Sequence, residues 1–501
     1  MVTEISLPNS TQMDNLLQYQ SQILAVLQVG IEVGVEWEQG EDNMVRTDSS
    51  LSRLSFDGLF PWAGMKRCNL ADDGTVNAYW GDPTYAEDGS NGQVMVEIPK
   101  FWYKAEKSGT KYNWYVSPVP RTGYSLHPAF LRNGMSKDYI YFSAFEGVAQ
   151  KISDDLYIAD DAQTVIFARN ASGVVNTASG GNTVTWVSGT KFNTNTAAAG
   201  GTANWAGRTI TINGVDYTID SVTDDETLVL TTDPGDQSGV AYSIVGDKLS
   251  SVTNVQPLSG NTQQANIVNL RNIAQNRGAG WEQQDFLTTC AVQLLYLVEY
   301  ASFDTQNTIG WGITNLQSGS GNVSQNTGKT GLSGNDLGNT SGQSDDINPL
   351  DRGALEYGSE CRAISYRGIE NFWGNIWIWV DGINIQGDYK PFIADHSFES
   401  DKFTSPYAQP GTVTVLSTSD TYVKDIIFDP EIDYSFLAST GGGSSTSYLH
   451  DNWWINAGNM VARFGGAWAI DFRAGGFCWS LSSDSADRNR LFGGRLCFFP
   501  Q

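Results

Sequence analysis

What the chain has little of narrows the field first. Histidine is scarce: His127, His396 and His450 are the only three, and none stands in an HExxH, GxSxG or CxH setting. The usual motif signals for zinc proteases and serine hydrolases are therefore missing. Five cysteines, Cys68, Cys290, Cys361, Cys478 and Cys497, form no CxxC or other metal spacing, and an odd number cannot all pair within one chain. They read as buried free thiols of a protein assembled in a reducing cytosol. Basic residues are few: 30 Lys and Arg against 55 Asp and Glu leave a formal net charge of −25. This excess of acid argues against nucleic acid or an anionic membrane as partner, because phosphate contacts need clustered Lys and Arg. It suits solubility at the high local density of a particle. No run approaches the roughly 20 apolar residues of a membrane span, so no membrane insertion is expected. The opening MVTEISLPNS has neither a basic n-region nor an apolar h-region, so no signal peptide is expected. The short repeats of β-helical depolymerases are missing too, although 55 acids leave room for a carboxylate pair roughly 5–10 Å apart.

What is present is aromatic and turn-rich. A length of 501 residues is too great for one ordinary core and implies two to four units. Sixteen Trp, 21 Tyr, 22 Phe and 53 Gly favour β-structure over helical bundles. Residues 9–28 read as a helix capped by Asn9 or Ser10. Met13, Leu16, Gln20, Ile23 and Leu27 alternate spacings of three and four, which fits both a helix packed on its own domain and a short trimeric seam. Residues 31–147 form a Trp- and Tyr-rich β region. It contains two acidic turns, Asp72-Asp73-Gly74 and Glu87-Asp88-Gly89, which are candidate Ca²⁺ sites without the full ligand series of an EF-hand loop.

Residues 164–245 change texture to Thr, Val, Ala, Asn and Gly. There Asn213-Gly214 joins two β-patterned runs, the strongest short signal for a type I′ hairpin. Because the flanks return to the aromatic style, this module reads as inserted into another domain. Helices are expected over 262–275 and 282–302, the second with an apolar surface broad enough to be largely buried. Residues 317–346 form a long Gly/Ser/Asn-rich loop, a length that is usually functional or disordered. Such a loop could wrap a receptor face or a neighbouring subunit. Residues 366–385 should contain a central strand with Ile376, Ile378 and Val380 on one face and Trp377 and Trp379 on the other, both faces covered.

The C-terminal stretch 451–500 alternates between framework and patches without periodicity. Its framework includes VARFGGAW, AGGFCWSL and RNRLFGGRL; the patches are 453–455, 469–472 and 480–490. Apolar anchors pin the backbone and leave the intervening side chains free to point outwards. This framework resembles the variable proteins of diversity-generating retroelements, phage tail receptor-binding proteins of the major tropism determinant kind. Upstream, GNIWIW (374–379) is similar to the GNVWEW strand of the formylglycine-generating enzyme branch of the same fold, with Ile378 where that pattern has an acid.

The resemblance implies an α+β chain built on a C-type lectin fold of the formylglycine-generating branch. It would carry an inserted all-β, Ig-like sandwich module and a short N-terminal helix. The expected division is an N-terminal helix for trimerisation or attachment (1–30), a β-rich first part of the main body (31–162), the module (163–247), and the lectin-like domain (248–501) with a variable region near 451–496. The implied role is host recognition at a phage tail tip, without catalysis and without a cofactor. Its partners would be a cell-surface protein or glycan receptor, other tail proteins and two further copies of the chain. The implied ligand face is Trp453, Trp454, Ile455, Ala467, Ala469, Ile470, Asp471, Phe472, Ser480, Ser482, Ser483 and Asp484, in which aromatic anchors mix with adaptable Ser and Asp. The competing readings are a formylglycine-generating-type oxidase and a purely structural baseplate component. The first would need a cysteine pair, yet Cys478 and Cys497 are far apart in sequence and Cys478 lies in a framework strand between Phe477 and Trp479.

Overall fold

A computed structural model describes residues 32–501 apart from 42–43, 154, 159–164, 193–204, 261–263, 318–320, 333, 346–355, 358–360 and 412–414. The helix expected over 9–28, and with it the trimer seam, lies outside the described residues.

The first part of the chain supplies β1 (Val33–Glu38), β2 (Lys66–Leu70), β3 (Val76–Tyr79), β4 (Gln93–Pro99), β5 (Trp102–Ser108), β6 (Lys111–Ser117) and β7 (Tyr139–Ser143). In β1 and β6, Val35, Trp37, Tyr112, Trp114 and Val116 are buried while the residues between them are mostly half-buried or exposed, the alternation of a sheet with one wet face. β4 differs: Gln93 to Ile98 are all buried, so both its faces are covered.

The module is formed by β8 (Ala171–Thr177), β9 (Thr183–Gly189), β10 (Thr209–Ile212), β11 (Val215–Val222), β12 (Thr227–Leu230) and β13 (Gln237–Ile244). Its strands close into a barrel in the order β8-β9-β12-β11-β10-β13, correcting the Ig-like sandwich that the resemblance implied. The physical cause lies in β8, which pairs on both sides and shifts register at Val174/Val175 and again at Val175/Thr177. Such bulges increase local twist, and a twisted six-stranded sheet can curl until its edges meet. Asn213 and Gly214 both hold positive φ, 50° and 78°, as a type I′ turn between β10 and β11 requires. The entry and exit are neighbours, Ala171 pairing with Ile244, so the barrel interrupts the body without separating the flanking chain. At the neck, Asp247 accepts from Ile166 N (2.8 Å) and pairs with Arg208 (2.7 Å).

The remainder contributes α1 (Ile267–Gln275), β14 (Trp281–Gln283), α2 (Phe286–Tyr300), β15 (Trp377–Ile385), β16 (Pro391–Ile393), β17 (Thr421–Ile426), β18 (Ala438–Gly441), β19 (Asn452–Ile455), β20 (Met460–Phe464), β21 (Trp479–Ser483), β22 (Phe492–Gly493) and β23 (Leu496–Phe498). Asn266 caps α1 through Asn269 N; Asp285 caps α2 through Leu287 N and Thr288 N. α2 ends at Ala301, which sits in the left-handed region with φ 52°. Every residue of α2 from Phe286 to Glu299 is buried, as its apolar breadth predicts.

Two sheets organise the body, and the first of them holds the halves together. One runs β14-β23-β7-β4-β2-β3, so strands from both ends of the chain share it. The other runs β16-β15-β20-β21-β19-β17-β18, with β22 joining β15 in parallel. β15 is buried throughout, as expected: Val380 enters the main core with α2, whereas Trp379 packs in the cluster that contains α1. The architecture is a largely β fold with few helices.

The long loop behaves differently from the expectation of a wrapping arm. Its described residues fold back onto their own body: Gly328 N, Thr330 N and Thr330 Oγ1 all donate to the buried Glu370 carboxylate at 2.6–2.8 Å. Gln325 N donates to Asn375 Oδ1 (2.7 Å), and Gln256 Nε2 donates to the carbonyls of Asn322 and Ser324. The acidic turns are likewise committed within the protein. Asp72 pairs with Arg277 (2.5 Å) and Lys248 (2.6 Å), Glu87 with Arg67 (2.7 Å), while Asp73 and Asp88 accept from Thr75 N and Ser90 N. Among the described residues no group of three or more His, Cys, Asp or Glu side chains converges as a metal site. No described helix is long and apolar enough to cross a membrane.

Candidate functional site

The site is built on four adjacent strands, β19, β21, β20 and β15, whose pairing decides which side chains face which way. Trp454 lies opposite Ser480, Ser480 opposite Arg463, and Arg463 opposite Trp379. Because side chains alternate along a strand, this register puts Trp454, Ser480, Ser482, Arg463, Trp377 and Trp379 on one face. The neighbours Trp453, Ile455, Trp479, Leu481, Ala462, Phe464 and Val380 face the other way and join the core that holds α2. Trp479 there meets Phe464 with ring centroids 4.9 Å apart and Phe286 at 5.5 Å.

The outer face is roofed by two loops. The first leaves β20 through Gly465 and Gly466, both with positive φ (90° and 82°). A Cβ on Gly466 would stand 2.4 Å from that of Ala474, so only glycine permits this close return. The loop then passes through Asp471 at φ 63°, a conformation that Asp tolerates better than most residues. It is held there by Asp471 N donating to Thr314 O (2.7 Å) and Gln306 Nε2 donating to Asp471 O (3.2 Å). Asp471 Oδ1 is buried without a hydrogen-bond partner. The second loop is shaped by Asp484, whose Oδ1 accepts from Ala486 N (2.8 Å) and Asp487 N (3.0 Å).

The residues expected on the ligand face divide accordingly. Phe472 is 45% exposed, Ala469 and Asp484 are exposed, and Trp454, Ile470, Asp471 and Ser482 are half-buried. Trp453, Ile455, Ala467, Ser480 and Ser483 are corrected to interior positions, each at most 5% exposed. Trp453 and Ile455 fall inside because they alternate with Trp454, and Trp453 Nε1 donates to Ser417 O (3.0 Å). Ala467 is covered beneath the first loop with Trp377 and Cys478. Ser480 points to the outer face but lies under the loops, and Ser483 is buried opposite Val461.

The structure adds residues that the expected set lacks. Trp311 meets Phe472 edge-on at 4.6 Å, and Arg473 lies 5.7 Å over the Trp454 ring, which meets Trp377 at 5.4 Å. Arg490 lies 5.2 Å over Trp468. Arg463 sits beneath, 3.8 Å from the Phe492 ring, 5.3 Å from Trp377 and 5.5 Å from Trp379. Trp311 is brought in from a distant segment, so no local pattern could place it. The arginines did leave a signal: residues 451–496 carry five arginines and four aspartates but no lysine or glutamate, within a strongly acidic chain. The result is an aromatic and guanidinium surface, suited to rigid contact with little ordering of long flexible chains.

The two C-terminal cysteines lie in different clusters, Cys478 directly beneath this surface and Cys497 away from it. Cys478 packs with Trp377 and Ala467, while Cys497 belongs to the core that holds α2. Both are free, and burial pushes both thiols well above their ordinary range, the opposite of an activated nucleophile. No protein-family model matches the chain, and no curated protein matches it either.

Proposed function

We propose that this protein is a receptor-binding component of a phage tail tip, displaying a ligand face on a C-type lectin scaffold of the formylglycine-generating branch. The observation that carries this reading is the division of labour in β19, β21, β20 and β15. One face builds the core; the other carries Trp454 on β19 and lies beneath loops that offer Ile470, Phe472, Arg473 and Trp311. Function on loops set upon a rigid sheet is how many recognition proteins separate folding from binding. The chemistry is recognition without turnover, and the receptor is a surface protein or glycan of a bacterial host. A trimer carried on a virion would raise modest single-site affinity through avidity. The buried, well-separated thiols Cys478 and Cys497 weigh against the oxidase alternative.

Sequencing the DNA around the gene tests the reading directly. The expected finding is a near-copy of the codons for residues 451–496, differing mainly at adenines, beside a reverse transcriptase gene. Binding supplies the second test: Trp454→Ala and Phe472→Ala should weaken attachment to host cell envelopes about tenfold or more while leaving the fold intact. Equal attachment by these variants would remove the proposed face from the receptor contact.

A further inference from the structure

Eight arginines are buried among the described residues, and seven have evident partners. Arg67, Arg132, Arg208, Arg271, Arg277 and Arg367 each pair with a carboxylate. Arg495 donates to the carbonyls of Ser143, Glu370 and Asn371. Arg463 is the exception. It is 6% exposed, no described carboxylate lies within ion-pair distance, and its Nε has no acceptor. Its Nη2 reaches only the hydroxyls of Ser480 (2.9 Å) and Ser482 (3.2 Å), which bond each other at 3.0 Å. A guanidinium removed from water without a counter-ion is costly, and aromatic faces compensate only in part. At the other buried arginines among the described residues the same cost is met by a carboxylate or, for Arg495, by three carbonyls.

The position explains what could meet it here. Arg463 lies on the outer face of the sheet, in line with Trp454 across Ser480, and beneath the half-buried Ser482 and Phe492. The geometry points to Arg463, Ser480 and Ser482 as a carboxylate subsite, whose ligand is an acidic sugar of a surface glycan. The guanidinium would take the carboxylate in its fork, and a serine hydroxyl would donate to the same group or to a ring hydroxyl. The Phe492 ring lies 3.8 Å from the guanidinium and Trp454 stands one strand further along, across Ser480; such rings suit the apolar face of a pyranose rather than an extended peptide backbone. This inference rests on the proposed receptor-binding role and names the ligand class.

The test titrates the full chain at constant ionic strength with glucuronate, glucose, N-acetylglutamate and inorganic phosphate, reading tryptophan fluorescence. Glucuronate should give a saturable change, with glucose about tenfold weaker or more. Arg463→Met should lose that saturation, Arg463→Lys should restore part of it, and Ser482→Ala, at a half-buried edge where folding is safe, should weaken it several-fold. The near-UV circular dichroism of each variant reports that the tryptophan core is intact. No saturation by glucuronate, equal binding by glucose, or undiminished binding by Arg463→Met and Ser482→Ala overturns the subsite. Tighter binding of N-acetylglutamate or phosphate overturns the sugar class. Envelope attachment separates the two proposals. A chain that binds glucuronate through Arg463 but attaches to no envelope keeps the subsite and loses the receptor role. Attachment indifferent to both glucuronate and Arg463→Met does the reverse.

Discussion

Trp453 and Trp454 are adjacent in sequence, equal in size and opposite in fate. The first is 1% exposed and locked by its indole N–H; the second is half-buried, edge-on to Trp377 and beneath Arg473. The same contrast runs through the neighbouring strands, where Trp479 faces the core and Ser480 the outer face. One sheet thus carries a face committed to stability and a face released from it. Substitutions on the outer face should leave the scaffold folded, as the proposed ligand face would require.

That contrast can be broken deliberately. The largest effect is expected from Trp479→Ala, which removes a ring packed against Phe464 and Phe286. Urea unfolding should show a loss of about 3–5 kcal/mol, and a loss below about 1 would mean that the inner face is not the core. A pH-dependent effect comes next. Burial, with the nearby Glu370 adding to it and Arg495 opposing, raises the Glu146 carboxyl above its ordinary 4.5, and its Oε2 has no partner. A raised carboxyl binds more protons in the folded than in the unfolded state. Its contribution is therefore fully present at low pH and is lost as pH rises from the ordinary carboxylate range toward neutrality. Glu146→Gln should flatten this decline, so that the variant gains stability over the parent at pH 8 but not at pH 4. An unchanged slope in thermal unfolding would assign the dependence to other groups.

On the outer face the expected changes are smaller. Burial lowers Arg463 to about 9, because the loss of water outweighs the opposing field of Asp487, which makes no ion pair with it. Arg463→Met, which keeps the packing length and drops the charge, should be neutral or stabilising by about 1 kcal/mol in ligand-free protein. Destabilisation of several kcal/mol would mean that the guanidinium is a structural tie. The smallest effect belongs to Phe472→Ala, within about 0.5 kcal/mol by chemical denaturation.

How much of this was readable beforehand depended on whether the signal was local. The Asn213-Gly214 hairpin, the burial of α2 and the two covered faces of β15 follow from turn chemistry and apolar pattern, and each is in place. The sandwich became a barrel because bulges in β8 depend on partners on both sides. The 317–346 loop looked free because Gly, Ser and Asn carry no packing signal, yet Glu370 and Asn375 hold its backbone from elsewhere in the chain. Of the twelve expected face residues, Trp453 and Ile455 lie inside because a patch without periodicity gives no parity, whereas Ala467 and Ser480 are covered by loops that no local pattern announces.

The amino-acid sequence by itself determined that the chain would be β-rich, acidic, poor in redox and metal motifs, interrupted by a small module, and closed by a Gly- and Trp-framed stretch unlike the rest. These properties reside in composition and near-neighbour spacing. Only the tertiary structure decided that Trp454 and not Trp453 faces outwards, that Trp311 joins Phe472, and that Arg463 alone among the described buried arginines has neither a carboxylate in ion-pair contact nor a set of carbonyls. Those outcomes depend on strand register, where a shift of one residue reverses every side chain, and on contacts between segments that no local pattern links.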